Sequence, residues 1–319
     1  MTRVAAIDCG TNSVRLLVAD VHADSLHEVE RRMEIVRLGQ GVDETGRLAP
    51  EALERTFAAM RAYAALIEGH GAAAVRVVAT SATRDAANRQ DFADGVREIF
   101  GVDPEVVTGA EEAELSFTGA TGDMVTLSPE TGLPTPSGTR PPYLVVDIGG
   151  GSTEFVVGAT HAEAALSVDI GCVRLTERHL RGAGDPPPAE AVEAMTADID
   201  DALDRVAEEV PVERALTMVG LAGSVTTVAG IALELDEYDS NRIHHARIPA
   251  NRAHEISHRL LNMSHSERAA IPVMHPGRVD VIAAGALILD RIMQRYGFAE
   301  VVVSECDILD GIAWSISKS

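Results

Sequence analysis

The chain has 319 residues, 46% of them apolar, which is enough to build about two domains with cores of their own. Its formal net charge of −22 repels nucleic acid at long range and excludes a general DNA- or RNA-binding role. No apolar run reaches the roughly 18 residues of a membrane span, and Asp8 and Arg15 interrupt any signal-like start, so a soluble, cytoplasmic protein is expected.

Residues 3–8 and 13–20 predict two strands joined by a tight turn, with a third strand near 27–37. Leu53, Phe57, Met60, Ala64 and Ile67 recur at helical intervals and predict an amphipathic helix over 51–68. A buried strand at 75–79 then leads into TSATRDAAN (80–88), read as a polar turn. A helix near 91–99, a strand around 105–108 and a helix at 111–120 complete the first half. Residues 122–142 are rich in Pro, Gly, Ser and Thr and read as a connecting loop. The pattern then restarts, with strands at 143–148, 153–158 and near 165–170 and a helix from 172. A long helix over 189–208, a strand at 215–220 running into GLAGSVTT, a helix at 277–295, a strand at 301–305 and an amphipathic segment at 308–317 follow. Mixed strands and helices, repeated twice, give an α/β protein with a hairpin opening each sheet.

The repeat is explicit in the residues. VAAIDCGTNSVRLLVAD (4–20) and YLVVDIGGGSTEFVVG (143–158) share one frame, with Asp8, Gly10 and Ser13 matching Asp147, Gly149 and Ser152 without a gap. Two copies are too few for a solenoid and suggest two related domains. A glycine after a strand permits a tight turn that presents N–H groups to an anion, and a strand-end acid can hold Mg²⁺ or a water. One such loop is also an ordinary hairpin turn. Gly220, Gly223, Ser224 and Thr226 form a third loop at a helix start, which reads equally as a turn or an anion site. The three cysteines, Cys9, Cys172 and Cys306, are too sparse for a disulfide framework. Cys9 reads as a small strand residue.

These motifs, with TSATRDA and TGAEEAEL between them, resemble the exopolyphosphatase and guanosine-pentaphosphate phosphohydrolase family, from residue 4 to about 314. The resemblance implies an actin-like ATPase architecture: two ribonuclease-H-like domains with an interdomain cleft. The expected boundaries are 1–125, a Pro/Gly-rich connection at 126–142, and 143–319, whose C-terminal segment packs back on the first domain. Longer family members carry a further C-terminal domain that this sequence does not show. Its absence leads to an expectation of activity on short polyphosphates.

The site residues follow from both readings. Acids at a helix start are ordinary dipole chemistry, but the family's catalytic Glu matches Glu112 of the Glu111, Glu112 and Glu114 cluster. Arg84 is either a surface ion-pair partner or, at the family's cleft position, a phosphate ligand. Gly10, Thr11, Asn12 and Ser13, then Gly149, Gly150, Gly151, Ser152 and Thr153, are the expected phosphate turns, with Gly223 and Ser224 as the third. Arg15, on the same side as Ser13, and Arg278, at a helix start, are further phosphate candidates. Asp8, Asp147 and Glu154 are the candidate ligands for Mg²⁺, with Mn²⁺ as substitute. His244 and His245 read as a solvated loop.

The expected reaction is Mg²⁺-dependent hydrolytic removal of the terminal phosphate of inorganic polyphosphate. The alternative substrate is guanosine pentaphosphate. A kinase of the same fold would need an acceptor site that the sequence does not display. A different class, an actin- or chaperone-like ATPase, shares the turns but not TGAEEAEL and TSATRDA. A homodimer is the expectation from the resemblance.

Overall fold

The computed structural model describes residues 2–22, 25–122, 124 and 138–316. Residues 126–137 of the predicted connection lie outside that range. The chain divides into two compact units, one of residues 1–119 with 308–319 and one of residues 120–307.

In the first unit, β1 (Thr2–Cys9), β2 (Ser13–Val21), β3 (Leu26–Ile35), β4 (Ala74–Ala79) and β5 (Glu105–Val106) form one sheet in the order β3-β2-β1-β4-β5. The first three strands run antiparallel, while β4 and β5 add parallel to β1. Alternation along β1 explains how it is buried on both faces. Ala5, Ile7 and Cys9 join a core with Met60, Tyr63, Phe92 and Val96 from the helices Pro50–His70 and Arg89–Phe100. Val4 and Ala6 face the other way, onto Ile308, Leu309, Ile312 and Ala313 of the C-terminal helix Ile308–Ile316. Proline at the first turn and Gly71 in the left-handed region at the end delimit the Pro50–His70 helix.

The second unit repeats the plan. Its strands are β6 (Tyr143–Ile148), β7 (Thr153–Gly158), β8 (Ala162–Val168), β9 (Thr217–Leu221), β10 (Arg247–Pro249) and β11 (Glu300–Val303), in the order β10-β11-β9-β6-β7-β8. Read from β8 inward, β8-β7-β6-β9-β11 has the same order and the same antiparallel-then-parallel pattern as the first sheet. This is the ribonuclease-H-like order, found twice. Helices Ala189–Glu209, Ala222–Ala232, Ala250–Asn262 and Ile282–Tyr296 cover the core of this unit.

Three local expectations need correction. TSATRDAAN is not simply a turn: Ser81–Asp85 is a short helix whose first three residues are buried. The last long helix begins at Ile282, because residues 276–278 form a separate 3₁₀ turn. His244 and His245 are half-buried and their rings stack at 3.8 Å, so they are not solvated.

Gly311 shows how tightly the C-terminal helix is seated, since a Cβ there would overlap the carbonyl of Leu115. Gly311→Ala is therefore expected to cost about 1–3 kcal/mol in urea unfolding. Gly69→Ala, in open space on the Pro50–His70 helix, should gain about 0.4–1 kcal/mol. Equal midpoints for Gly311→Ala and the wild type would contradict this packing.

Candidate active site

Both repeated frames close with the same bond. Gly10 N–H donates to the Ser13 carbonyl at 3.0 Å, and Gly149 N–H to the Ser152 carbonyl at 3.0 Å. A Cβ at Gly10 would lie 3.3 Å from that Ser13 oxygen and one at Gly149 3.0 Å from that of Ser152, tight contacts that glycine avoids. The bond folds the intervening residues outward. Among the described residues no acceptor takes the N–H groups of Thr11 and Asn12, nor those of Gly150 and Gly151. Two consecutive N–H groups that a tight turn leaves without an intramolecular acceptor can serve as an anion-binding nest.

Each turn is held from behind. The Asn12 carbonyl accepts from Val36 and Arg37, and the Thr11 hydroxyl pairs with Ser81 at 2.9 Å. In the second unit the carbonyls of Gly149 and Gly150 accept from Cys172, Val173 and Arg174. The Arg174 guanidinium adds a bond to the Gly151 carbonyl at 2.6 Å. Gly171 is pressed against Gly150 and Gly151, so no side chain fits there. Thr153 turns its hydroxyl onto the Ile170 carbonyl at 2.5 Å. It therefore fixes the strand rather than offering a donor to a ligand.

Directly across the hairpins, the two units differ. Asp8 pairs with Arg15 in the β1–β2 register, and Asp147 with Glu154 in the β6–β7 register. Arg15 donates to Asp8 Oδ2 from Nε at 2.9 Å and Nη2 at 2.7 Å. Asp147 and Glu154 are only 7% and 2% exposed, and Ser167 donates to Glu154 Oε1 at 2.7 Å. Carboxylates at directly opposed strand positions repel, and an all-oxygen pair suits Mg²⁺, which completes its shell with waters and substrate phosphate. Among the described residues no cluster of three His, Cys, Asp or Glu forms a metal cage.

The acids of TGAEEAEL separate cleanly. Glu111 is a capping acid of the Gly109–Thr121 helix: its carboxylate accepts from Thr108 N–H at 2.8 Å and the Thr108 hydroxyl at 2.9 Å. Those bonds hold its carboxyl below the ordinary range. Glu112, one residue on, is 7% exposed and accepts from Arg84 Nη1 at 2.9 Å. The same Nη1 reaches the Val107 carbonyl at 3.1 Å. Among the described residues nothing takes the Nε–Nη2 edge of Arg84, which leaves its two-pronged face to a phosphate. Arg15 differs, because that edge is already on Asp8. Glu114 is exposed.

The third loop opens the Ala222–Ala232 helix, with Ala222 at φ 66° turning the chain out of β9. Arg278 lies over Gly223, bonding its carbonyl at 3.1 Å and the Thr227 hydroxyl at 3.3 Å. A Cβ at Gly223 would collide with the guanidinium. Ser224 packs on Gly285. Cation and helix N-terminus together make this a second anion-favouring place in that unit. Burial, and secondarily the charge of Asp8, pushes the Cys9 thiol well up, consistent with a packing role.

Sequence reasoning missed Ser81, Thr108, Ser167, Gly171 and Arg174, which all act on residues that it found. Only Thr108 carried a readable signal, as the first residue of a T-x-x-E capping frame.

The sequence profile of the Ppx/GppA phosphatase family matches residues 17–319. Exopolyphosphatase 2 of Mycobacterium tuberculosis is 47% identical over 99% of this chain and 99% of its own length. The crystal structure of an exopolyphosphatase-like protein superimposes with a TM-score of 0.92 at 41% identity, covering 99% of this chain and 97% of the other. A guanosine-5'-triphosphate,3'-diphosphate pyrophosphatase of Aeromonas salmonicida is 28% identical over 98% of this chain, which spans 59% of that protein.

The division of labour between Glu111 and Glu112 has a pH signature. A carboxyl depressed in the folded state contributes stability that is present above its unfolded value and lost as pH falls through the folded one. Glu111→Gln should therefore melt below the wild type above about pH 5, and the gap should close as pH falls below the ordinary carboxylate range. Thermal melts across that range check it; a gap that widens on acidification would contradict the capping role.

Proposed function

The chain belongs to the Ppx/GppA phosphatase family, and from that premise we propose that it is an exopolyphosphatase, removing the terminal phosphate of inorganic polyphosphate by direct attack of water. The observation that carries this is the buried Glu112 paired with Arg84 while Glu111 alone serves the helix end. A structural acid would be doing what Glu111 does.

In this reading Arg84 fixes the Glu112 carboxylate through Nη1 and offers Nε and Nη2 to non-bridging oxygens of the terminal phosphate. Glu112 takes a proton from the attacking water. The new bond joins the water oxygen to the terminal phosphorus, the bridging P–O bond breaks, and the electron pair leaves on the shortened chain. In the first unit the Thr11–Asn12 nest binds phosphate oxygens; in the second the Gly150–Gly151 nest does so, with Arg278 and the helix start at Gly223. Mg²⁺, when held by Asp147 and Glu154, supplies charge neutralisation. No covalent intermediate is required, and catalysis is mostly positioning and electrostatics. The buried, unpaired thiols of Cys9 and Cys172 suit a cytoplasmic location. The match of this chain to part of the Aeromonas salmonicida pyrophosphatase favours guanosine pentaphosphate as a second substrate of the same machinery.

Phosphate release from tripolyphosphate, guanosine pentaphosphate and ATP, with Mg²⁺ and after EDTA, tests the substrate and the metal. Polyphosphate turnover that EDTA abolishes and Mg²⁺ restores is expected; turnover of ATP alone would point to an ATPase instead. Glu112→Gln should lower kcat by about 10²-fold or more, with Kd for tripolyphosphate unchanged or tighter. Glu114→Gln, exposed on the same helix, should retain near-normal kcat. Near-normal turnover in Glu112→Gln would remove it from the mechanism.

A further inference from the structure

The duplication places two hairpins in one register, and the residue facing the aspartate is the point where they diverge. In the first unit that position holds Arg15, bonded through Nε and Nη2 to Asp8. In the second it holds Glu154, opposite Asp147. The residues are otherwise matched: strand, aspartate, glycine, outward N–H pair, serine, strand. The same structural position thus carries a fixed positive charge in one copy and a second negative charge in the other.

We propose that the first turn contains its own cation, the Arg15 guanidinium, and that only the second turn recruits a divalent metal, so that Asp8 positions Arg15 and is not a metal ligand. A guanidinium bonded by two N–H groups to one carboxylate is a strong, well-oriented pair. It neutralises Asp8 and keeps a positive charge beside the Thr11–Asn12 nest. A metal entering there would have to break both bonds and lie next to a guanidinium. At Asp147 and Glu154 the sign is reversed: two opposed carboxylates favour a hard divalent ion. The chain therefore holds phosphate at one turn without a metal and at the other through one. This sharpens the expectation from sequence, which put Asp8 among the metal ligands.

The inference rests on reading Asp147 and Glu154 as cation ligands. Its test is a binding measurement without substrate, so a failure of the polyphosphate assignment, seen as absent phosphate release, stays separate. Mn²⁺ is titrated into the full chain and counted by electron paramagnetic resonance. One ion per chain is expected for the wild type and for Asp8→Asn, with affinities within about threefold of each other. Asp147→Asn should weaken binding by about tenfold or more. Arg15→Glu, which copies the second hairpin onto the first, should add a second ion. If that variant fails to fold, the Asp8→Asn and Asp147→Asn pair decides alone. Two ions of similar affinity in the wild type, no bound ion, or an Asp8→Asn loss equal to that of Asp147→Asn would each overturn the proposal.

Discussion

One backbone hydrogen bond, from a glycine N–H to the carbonyl of a serine three residues on, governs what each sheet can offer a ligand. It occurs at Gly10 and at Gly149 with the same 3.0 Å length. Closing it leaves the N–H groups of the two middle residues without an acceptor among the described residues. It also sets the register in which the strand-end aspartate meets a partner seven residues later. Anion binding by the backbone and the choice of counter-charge are thus consequences of one turn. A side chain at either glycine would crowd the accepting oxygen, most tightly at Gly149.

An acidic chain acting on a polyanion faces an electrostatic problem. With a net charge of −22, long-range attraction cannot assist. The solution is local. In the first unit Arg84 and the amides of Thr11 and Asn12 supply positive potential; in the second, Arg278, the amides of Gly150 and Gly151 and the start of the Ala222–Ala232 helix do. The acids of each unit are constrained by bonds within it: Asp8 by Arg15 and Glu112 by Arg84 in the first, and Glu154 by Ser167 in the second. A carboxylate pinned through hydrogen bonds has a definite orientation, which a base aimed at one water requires.

Much of this was legible in the sequence, because it depends on short-range geometry. The duplicated frame, its glycines and the strand alternation around it gave the two-sheet architecture. What was not legible depended on contacts across the chain. Thr11 bonding Ser81 and Ser167 bonding Glu154 involve separations that no local pattern encodes. Arg15 read as a phosphate ligand because its side of the strand is predictable, whereas its closure onto Asp8 is not. Glu111 and Glu112 looked equivalent as neighbouring acids. About 100° of helical rotation sends one to the cap and the other to Arg84. The Ala250–Asn262 helix did carry its period in Ala253, Ile256 and Leu260, but its many polar residues masked it.

Catalysis depends most on Arg84 and Glu112 acting as one device. The direct test is a double-mutant cycle on kcat with tripolyphosphate, using Arg84→Gln, Glu112→Gln and the pair. If the guanidinium both orients the carboxylate and grips the phosphate, each single change removes most of the shared effect. The double variant should then be no worse than the poorer single by more than about threefold. Losses that multiply would mean that the two residues act independently, and the paired mechanism would be wrong.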